Sequence, residues 1–183
     1  AEGVPVYVKG HQANDFKVSV EQLEEARTEK TKVLVLNSPS NPTGMIYSKD
    51  ELLAIGNWAV EHDIIILADD IYGRLVYNGN EFVPISSLSE AIRKQTVVIN
   101  GVSKAYAMTG WRVGYAVGDP EIIAAMSKLT GQTTSNLTAV SQYATIEALA
   151  GPQDSVEVMR QAFEERLNTI YPLLCEVPGF DVI

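Results

Sequence analysis

The stretch TVVINGVSKAYAMTGWRVGYAV, residues 96–117, holds two short apolar runs, 96–100 and 113–117, on either side of a glycine-containing loop. Short runs that are continuous and rich in β-branched residues have the pattern of strands covered on both faces. Three runs outside this stretch share it: VPVYV (4–8), KVLVL (32–36) and IIILA (64–68). The loop itself puts an amine, Lys104, just past a strand end between the small residues Ser103 and Ala105, with Arg112 eight positions on.

Helical patterns separate the runs. Ser19 with Gln22, and Ser48 with Glu51, have the S-x-x-E/Q spacing in which side chain and backbone satisfy each other at a helix start. Leu52, Leu53, Ile55, Trp58 and Ala59 then form an apolar stripe. Strand and helix in alternation predict an α/β fold with a mostly parallel sheet and right-handed crossovers, because parallel neighbours need a long connection. After Asp119 the pattern is helical only: 119–130, 138–151 and 152–177, the last two separated by Gly151-Pro152. PGFDVI (178–183) reads as one more strand. A chain that opens and closes on strands in this way is expected to be a piece of a larger one.

Composition excludes several classes. The chain has 183 residues, 46% hydrophobic and 20% charged, which predicts one good-sized core, as one domain or a domain plus an appendage. Its net charge of -9 and lack of a Lys/Arg cluster exclude a nucleic-acid partner, which needs concentrated positive charge. No apolar run reaches the ~18 residues of a membrane span, and the first residues lack the basic and apolar regions of a signal peptide. A single cysteine, Cys175, fits a reducing, cytoplasmic setting and is expected to be a buried thiol without chemistry. Neither G-x-G-x-x-G nor G-x-x-x-x-G-K-[ST] follows the first strand, which excludes the common nucleotide-binding modules.

In an open parallel sheet, ligands gather beyond the carboxyl ends of the strands. Here those ends read NSPSNPTG after residue 36, DDIY after residue 68 and GVSK after residue 100. Each alone is ordinary turn chemistry. Together they bring Asn41, Asp69, Tyr72 and Lys104 to one sheet edge. A lysine at a covered strand end loses hydration in its charged form, so the neutral, nucleophilic amine becomes available for a Schiff base. Pyridoxal phosphate is the cofactor held in that way, with a carboxylate on its ring nitrogen. Asp69, or alternatively its neighbour Asp70, is the candidate carboxylate. Tyr72 and Asn41 are candidates for the phenolic oxygen, and Arg112 has a planar fork suited to the phosphate.

NSPSNPTG (37–44), LADDIYGRLVY (67–77) and NGVSKAYAMTGWRVGYAVGDP (100–120) resemble, in order and spacing, the signature segments of the class I/II, fold-type I pyridoxal-phosphate aminotransferases, most of all the aspartate aminotransferase group. The resemblance implies that Lys104 is the Schiff-base lysine and proton carrier, Asp69 the partner of the ring nitrogen, and Asn41 and Tyr72 partners of the phenolic oxygen. Arg112 would be the phosphate ligand. It implies transamination between an aspartate-like amino acid and a 2-oxo acid, a homodimer in the full-length protein, and an antiparallel strand at 113–117. Residues 1–150 would be part of the cofactor-binding large domain. Residues 151–183 would be the long interdomain helix and the start of a smaller domain. Gly101 stands where many members carry a serine that helps hold the phosphate. The family's glycine-rich phosphate loop, ring-stacking aromatic and substrate-carboxylate arginine have no counterpart in these residues, so the isolated chain is expected to be inactive. Alternatives on the same scaffold are a C–S β-lyase or synthase, or a non-catalytic cofactor-binding fragment.

Other residues carry bland expectations. His11 and His62 lack metal-ligand spacing, and His62 beside Asp63 suits a helix C-terminus. Met108 and Trp111 are expected to pack, and the charges of 157–166 to form a solvated helix face.

Overall fold

The computed structural model describes residues 3–183. Four of the six expected strands form, with bounds slightly shifted from the apolar runs: β1 (Val33–Asn37), β2 (Ile65–Asp69), β3 (Thr96–Gly101) and β4 (Gly114–Val117). They make one sheet in the order β1-β2-β3-β4. β1, β2 and β3 are parallel, and β4 returns antiparallel beside β3. The ladders continue past the apolar residues, so Asn37 lies level with Asp69, and Asp69 with Ile99. The polar residues that close the first two runs are thus the last rungs of strands, held by backbone pairing.

α1 (Val20–Ala26) and α2 (Lys49–Glu61) both start in complete capping boxes, at Ser19/Gln22 and Ser48/Glu51. α2 buries Leu52, Ile55, Trp58 and Ala59, with Leu53 partly covered, against Ile64, Ile66 and Ala68 of the sheet. The β1–β2 connection is therefore a helical crossover. The β2–β3 connection is mostly turns and carries only a short helix, α3 (Glu90–Lys94), whose Ile92 is fully buried. Loop backbone polar groups find local partners there, as in Gly73 N–H to Asp70 O at 2.9 Å and Leu75 N–H to Tyr72 O at 2.8 Å.

The remaining helices are α4 (Pro120–Thr133), α5 (Ala139–Ala150) and α6 (Asp154–Cys175), close to the three helical stretches read from the sequence. α5 bonds to the loop before β4, where the buried Ser141 hydroxyl donates to Trp111 O at 3.2 Å. α6 lies along the turns after β2: Arg160 Nη1 donates to Val76 O at 3.2 Å, and Asn78 exchanges side-chain bonds with Asn168 at 3.1 and 3.0 Å. The charges of 157–166 are accordingly more than a solvated face, since Arg160 also pairs with Glu157 and Glu164.

Several expectations are corrected. Residues 4–8 are not a strand: Val4, Val6 and Tyr7 are exposed, Tyr7 at 84%, and only Val8 packs on the core. An apolar run becomes a strand only where a ladder partner lies beside it, and Pro5 removes one donor from this one. Residues 178–183 form a turn and irregular chain, with Phe180 exposed. The sheet is not covered throughout: Val33 and Val35 are open to solvent on the face turned away from the core, Val35 at 67%, although Val97 is buried on that same face, and Val117 of the edge strand β4 is exposed on the core-facing side. Cys175 is exposed rather than buried, and so is Trp111. His62 does close α2, but its partner is Glu24, 3.2 Å away, which also accepts from Trp58 Nε1 at 2.8 Å. No helix among the described residues is long and apolar enough to cross a membrane.

Candidate functional site

The carboxyl ends of β1, β2 and β3 open on one side of the sheet, and the loops that leave them meet there. After β1 the chain makes a tight turn in which Gly44 N–H donates to Ser40 O at 2.8 Å and Ser40 N–H to Met45 O at 3.0 Å. Gly44 takes φ +75, open to glycine without cost. Asn37, the last residue of β1, holds this turn to the next strand: its Nδ2 donates to Asp69 O at 3.1 Å and its Oδ1 accepts from Asn41 N–H at 3.0 Å. The backbone of Asn41 is fixed in that way, and its own Nδ2 reaches the Tyr72 hydroxyl at 3.2 Å.

After β3 the chain leaves the sheet at Val102 and comes back at Val113, where Val102 N–H donates to Val113 O at 3.3 Å. Val102 is fully buried and Ala105 nearly so, which turns the loop's apolar side inward and Lys104 outward. The Lys104 amine lies over the ring of Tyr72, 5.5 Å from its centre, in the range of a cation–π contact. Asn41, Tyr72 and Lys104 thus meet in a cleft of about 960 Å³ whose wall also includes Ser103, Thr109 and, from α6, Phe163.

The other two candidates stand further back. Asp69 ends β2 half-buried, and its Oδ1 accepts from Ile71 N–H at 3.2 Å. Arg112 is exposed in the left-handed region at φ 56, and its Nη1 donates to Thr109 O at 2.9 Å. Neither lines the cleft. Asp70, the alternative to Asp69, points to the covered side of the strand and is 7% exposed. Burial first, and the charge of Asp69 second, push its carboxyl up to about 7. Lys104 is exposed within this chain, so the covering that a desolvated amine requires does not come from the described residues.

Gly101 has a packing reason. A Cβ there would lie 2.7 Å from Val113 O and 3.2 Å from the Gly114 Cα, inside the β3–β4 crossing. Asn37 was not legible as a site residue. Its only signal is that it is the polar residue closing an apolar run, which many strand ends share. Among the described residues no group of three His, Cys, Asp or Glu side chains is placed to hold a metal ion.

The sequence model of the family described as Aminotransferase class I and II matches residues 1–183. The chain belongs to the class I and II aminotransferases. Among curated relatives of this aminotransferase-family chain, an asparagine--oxo-acid transaminase of Streptococcus mutans is 74% identical over 100% of the chain and 46% of its own length. An aspartate aminotransferase of Bacillus subtilis is 54% identical over 100% of the chain and 47% of its own length. The chain therefore spans about half the length of the relatives it matches. Among solved structures, the aromatic aminotransferase of Pyrococcus horikoshii superposes with a TM-score of 0.90 at 34% identity, over 94% of this chain and 46% of its own. A double mutant of Thermus thermophilus aspartate aminotransferase gives 0.85 at 39% identity, over 95% and 44%. The α/β fold with a mostly parallel sheet is that of these fold-type I aminotransferases.

Proposed function

We propose that the protein is a pyridoxal-phosphate-dependent aminotransferase that moves an amino group between an aspartate- or asparagine-like amino acid and a 2-oxo acid. The observation that carries this is the Lys104 amine, 5.5 Å from the Tyr72 ring centre, beside a Tyr72 hydroxyl bonded to Asn41 Nδ2 at 3.2 Å. The names of the asparagine and aspartate transaminase relatives support the substrate class.

The donor set fits the cofactor. An amine stands ready for its aldehyde carbon, a hydroxyl and an amide N–H stand together for its phenolic oxygen, and a carboxylate ends the neighbouring strand for its ring nitrogen. When bound, the cofactor draws electrons from the substrate Cα, so that the Cα proton becomes acidic enough to move. Lys104 would hold the cofactor at rest through its amine and, when that amine is free, would take up and return the proton of the substrate Cα. Both roles need an amine that is not tied up in an ion pair. Asn41 and Tyr72 would fix the ring's orientation from one side, Asn41 being held at the end of β1 by Asn37 Oδ1 and Tyr72 by Asn41 Nδ2. Asp69, pinned by the last rung of β2, offers its carboxylate from the other. Arg112 offers its fork to the phosphate in exchange for its bond to Thr109 O.

The same proposal places residues 1–150 in a cofactor-binding domain and residues 151–183 in a connecting helix and the start of a smaller domain, supported by the corner at Gly151-Pro152 where α5 ends. It includes a homodimeric full-length protein, on the family resemblance, and a cytoplasmic location, on the single cysteine. The test is to incubate the protein with pyridoxal phosphate, reduce with borohydride and map the added mass. The adduct should concentrate on Lys104 and vanish there in Lys104→Arg, and the full-length protein should transfer nitrogen from asparagine or aspartate to 2-oxoglutarate. Adducts spread evenly over the lysines refute the assignment of Lys104.

A further inference from the structure

Gln153 occupies the N-cap position of α6, yet its side chain makes no bond to its own helix. Ser, Thr, Asp or Asn are the residues that cap from there. The Gln153 amide is used elsewhere, and fully. Its Oε1 accepts from Arg74 Nη1 at 2.8 Å and from the Tyr106 hydroxyl at 3.1 Å. Its Nε2 donates to Ala148 O at 3.0 Å and to Gly151 O at 2.8 Å. A side-chain amide has two acceptor sites and two donor hydrogens, so every site is taken. The orientation is unambiguous, because the guanidinium can only donate and the two backbone carbonyls can only accept. Arg74 also lies 5.8 Å from the centre of the Tyr106 ring, which joins the two partners to each other.

The partners' positions matter. Tyr106 stands two residues after Lys104, in the loop between Val102 and Val113. Arg74 stands two residues after Tyr72, in the turn whose Leu75 N–H donates to Tyr72 O. The segments that carry the amine and the phenol of the cleft are therefore both fastened to one amide at the α5–α6 corner. In the cleft itself Lys104 meets Tyr72 through the 5.5 Å cation–π contact. We propose that Gln153 is a positioning residue, which holds the Lys104 loop and the Tyr72 turn in one register against the start of α6. This rests on the reading of Lys104 as the reacting amine.

The variants are Gln153→Ala and Tyr106→Phe, the second removing only a hydroxyl and keeping the ring beneath Arg74. Two measurements apply to each: amide hydrogen exchange across residues 103–108, and the rate of pyridoxal-phosphate/borohydride labelling at Lys104 relative to the exposed Lys94. Loss of the amide should speed exchange and lower the relative labelling about tenfold, Tyr106→Phe should do so more weakly, and the double variant should match Gln153→Ala alone. Unchanged exchange and labelling in Gln153→Ala, or effects that simply add in the double variant, overturn the proposal. If Gln153→Ala does not fold, Tyr106→Phe decides by the same two readouts. Wild-type labelling without preference for Lys104 refutes the cofactor reading instead, and the exchange data then decide the positioning role on their own.

Discussion

Replacing Asp70 with asparagine should stabilise the fold at neutral and alkaline pH and have little effect below pH 4. Asp70 is 7% exposed, directly follows the end of β2, and has its carboxyl pushed up to about 7 by burial and by the Asp69 charge. An acid whose folded value lies above its unfolded one binds a proton more tightly in the fold. Its stabilising contribution is present below the ordinary 3.8 and is lost as pH rises, the loss being complete once pH passes about 7. At ~1.36 kcal/mol for each pH unit, the span from 3.8 to about 7 corresponds to roughly 4 kcal/mol. Asparagine keeps the shape without a charge, so Asp70→Asn removes that loss. The assay is urea unfolding followed by circular dichroism at intervals from pH 4 to pH 8. The gap between variant and wild type should open steadily up to about pH 7 and then stay level. Parallel profiles for the two proteins, or a variant less stable at pH 8, would refute the argument that this carboxylate is buried at a cost.

Three further outcomes can be checked. Gly101→Ser should lower the melting temperature, at a cost of about 1–3 kcal/mol, because its Cβ meets the Val113 carbonyl at 2.7 Å and a backbone atom cannot move aside cheaply. Tyr72→Phe removes the 3.2 Å bond to Asn41 and should weaken pyridoxal-phosphate binding about fivefold in a fluorescence titration, with the melting temperature nearly unchanged. Ile66→Ala, at a fully buried position in β2, should cost about 2–5 kcal/mol in the same unfolding assay without altering which lysine the cofactor labels.

Much of the fold was legible because its signals are local. Two capping boxes and a stripe at helical spacing depend on residues three or four apart, and α1 and α2 form where they indicate. The turn chemistry at the strand ends is equally local, and it led to Asn41, Tyr72 and Lys104, which the fold gathers in one cleft. Residues 4–8 show where such signals fail: the run has the right composition, but composition does not supply a strand alongside. Val35 fails for the same reason, since an apolar residue on a strand states what it would gain from being covered and not whether a helix reaches it.

By itself, then, the sequence determined the α/β class, the starts of the helices, the chemistry available at the strand ends and, through its motifs, the family. Those are properties of spacing along one chain. Only the tertiary structure decided that the two carboxylates at the end of β2 and just after it have opposite surroundings, Asp69 bonded to its own turn and Asp70 buried. It alone brought Asn37 to Asp69 and Gln153 to Arg74 and Tyr106, across 32, 79 and 47 positions of sequence. Amides at such separations carry no periodicity or local pattern. Their partners are set by which elements pack together, and that is decided by burial over the whole core.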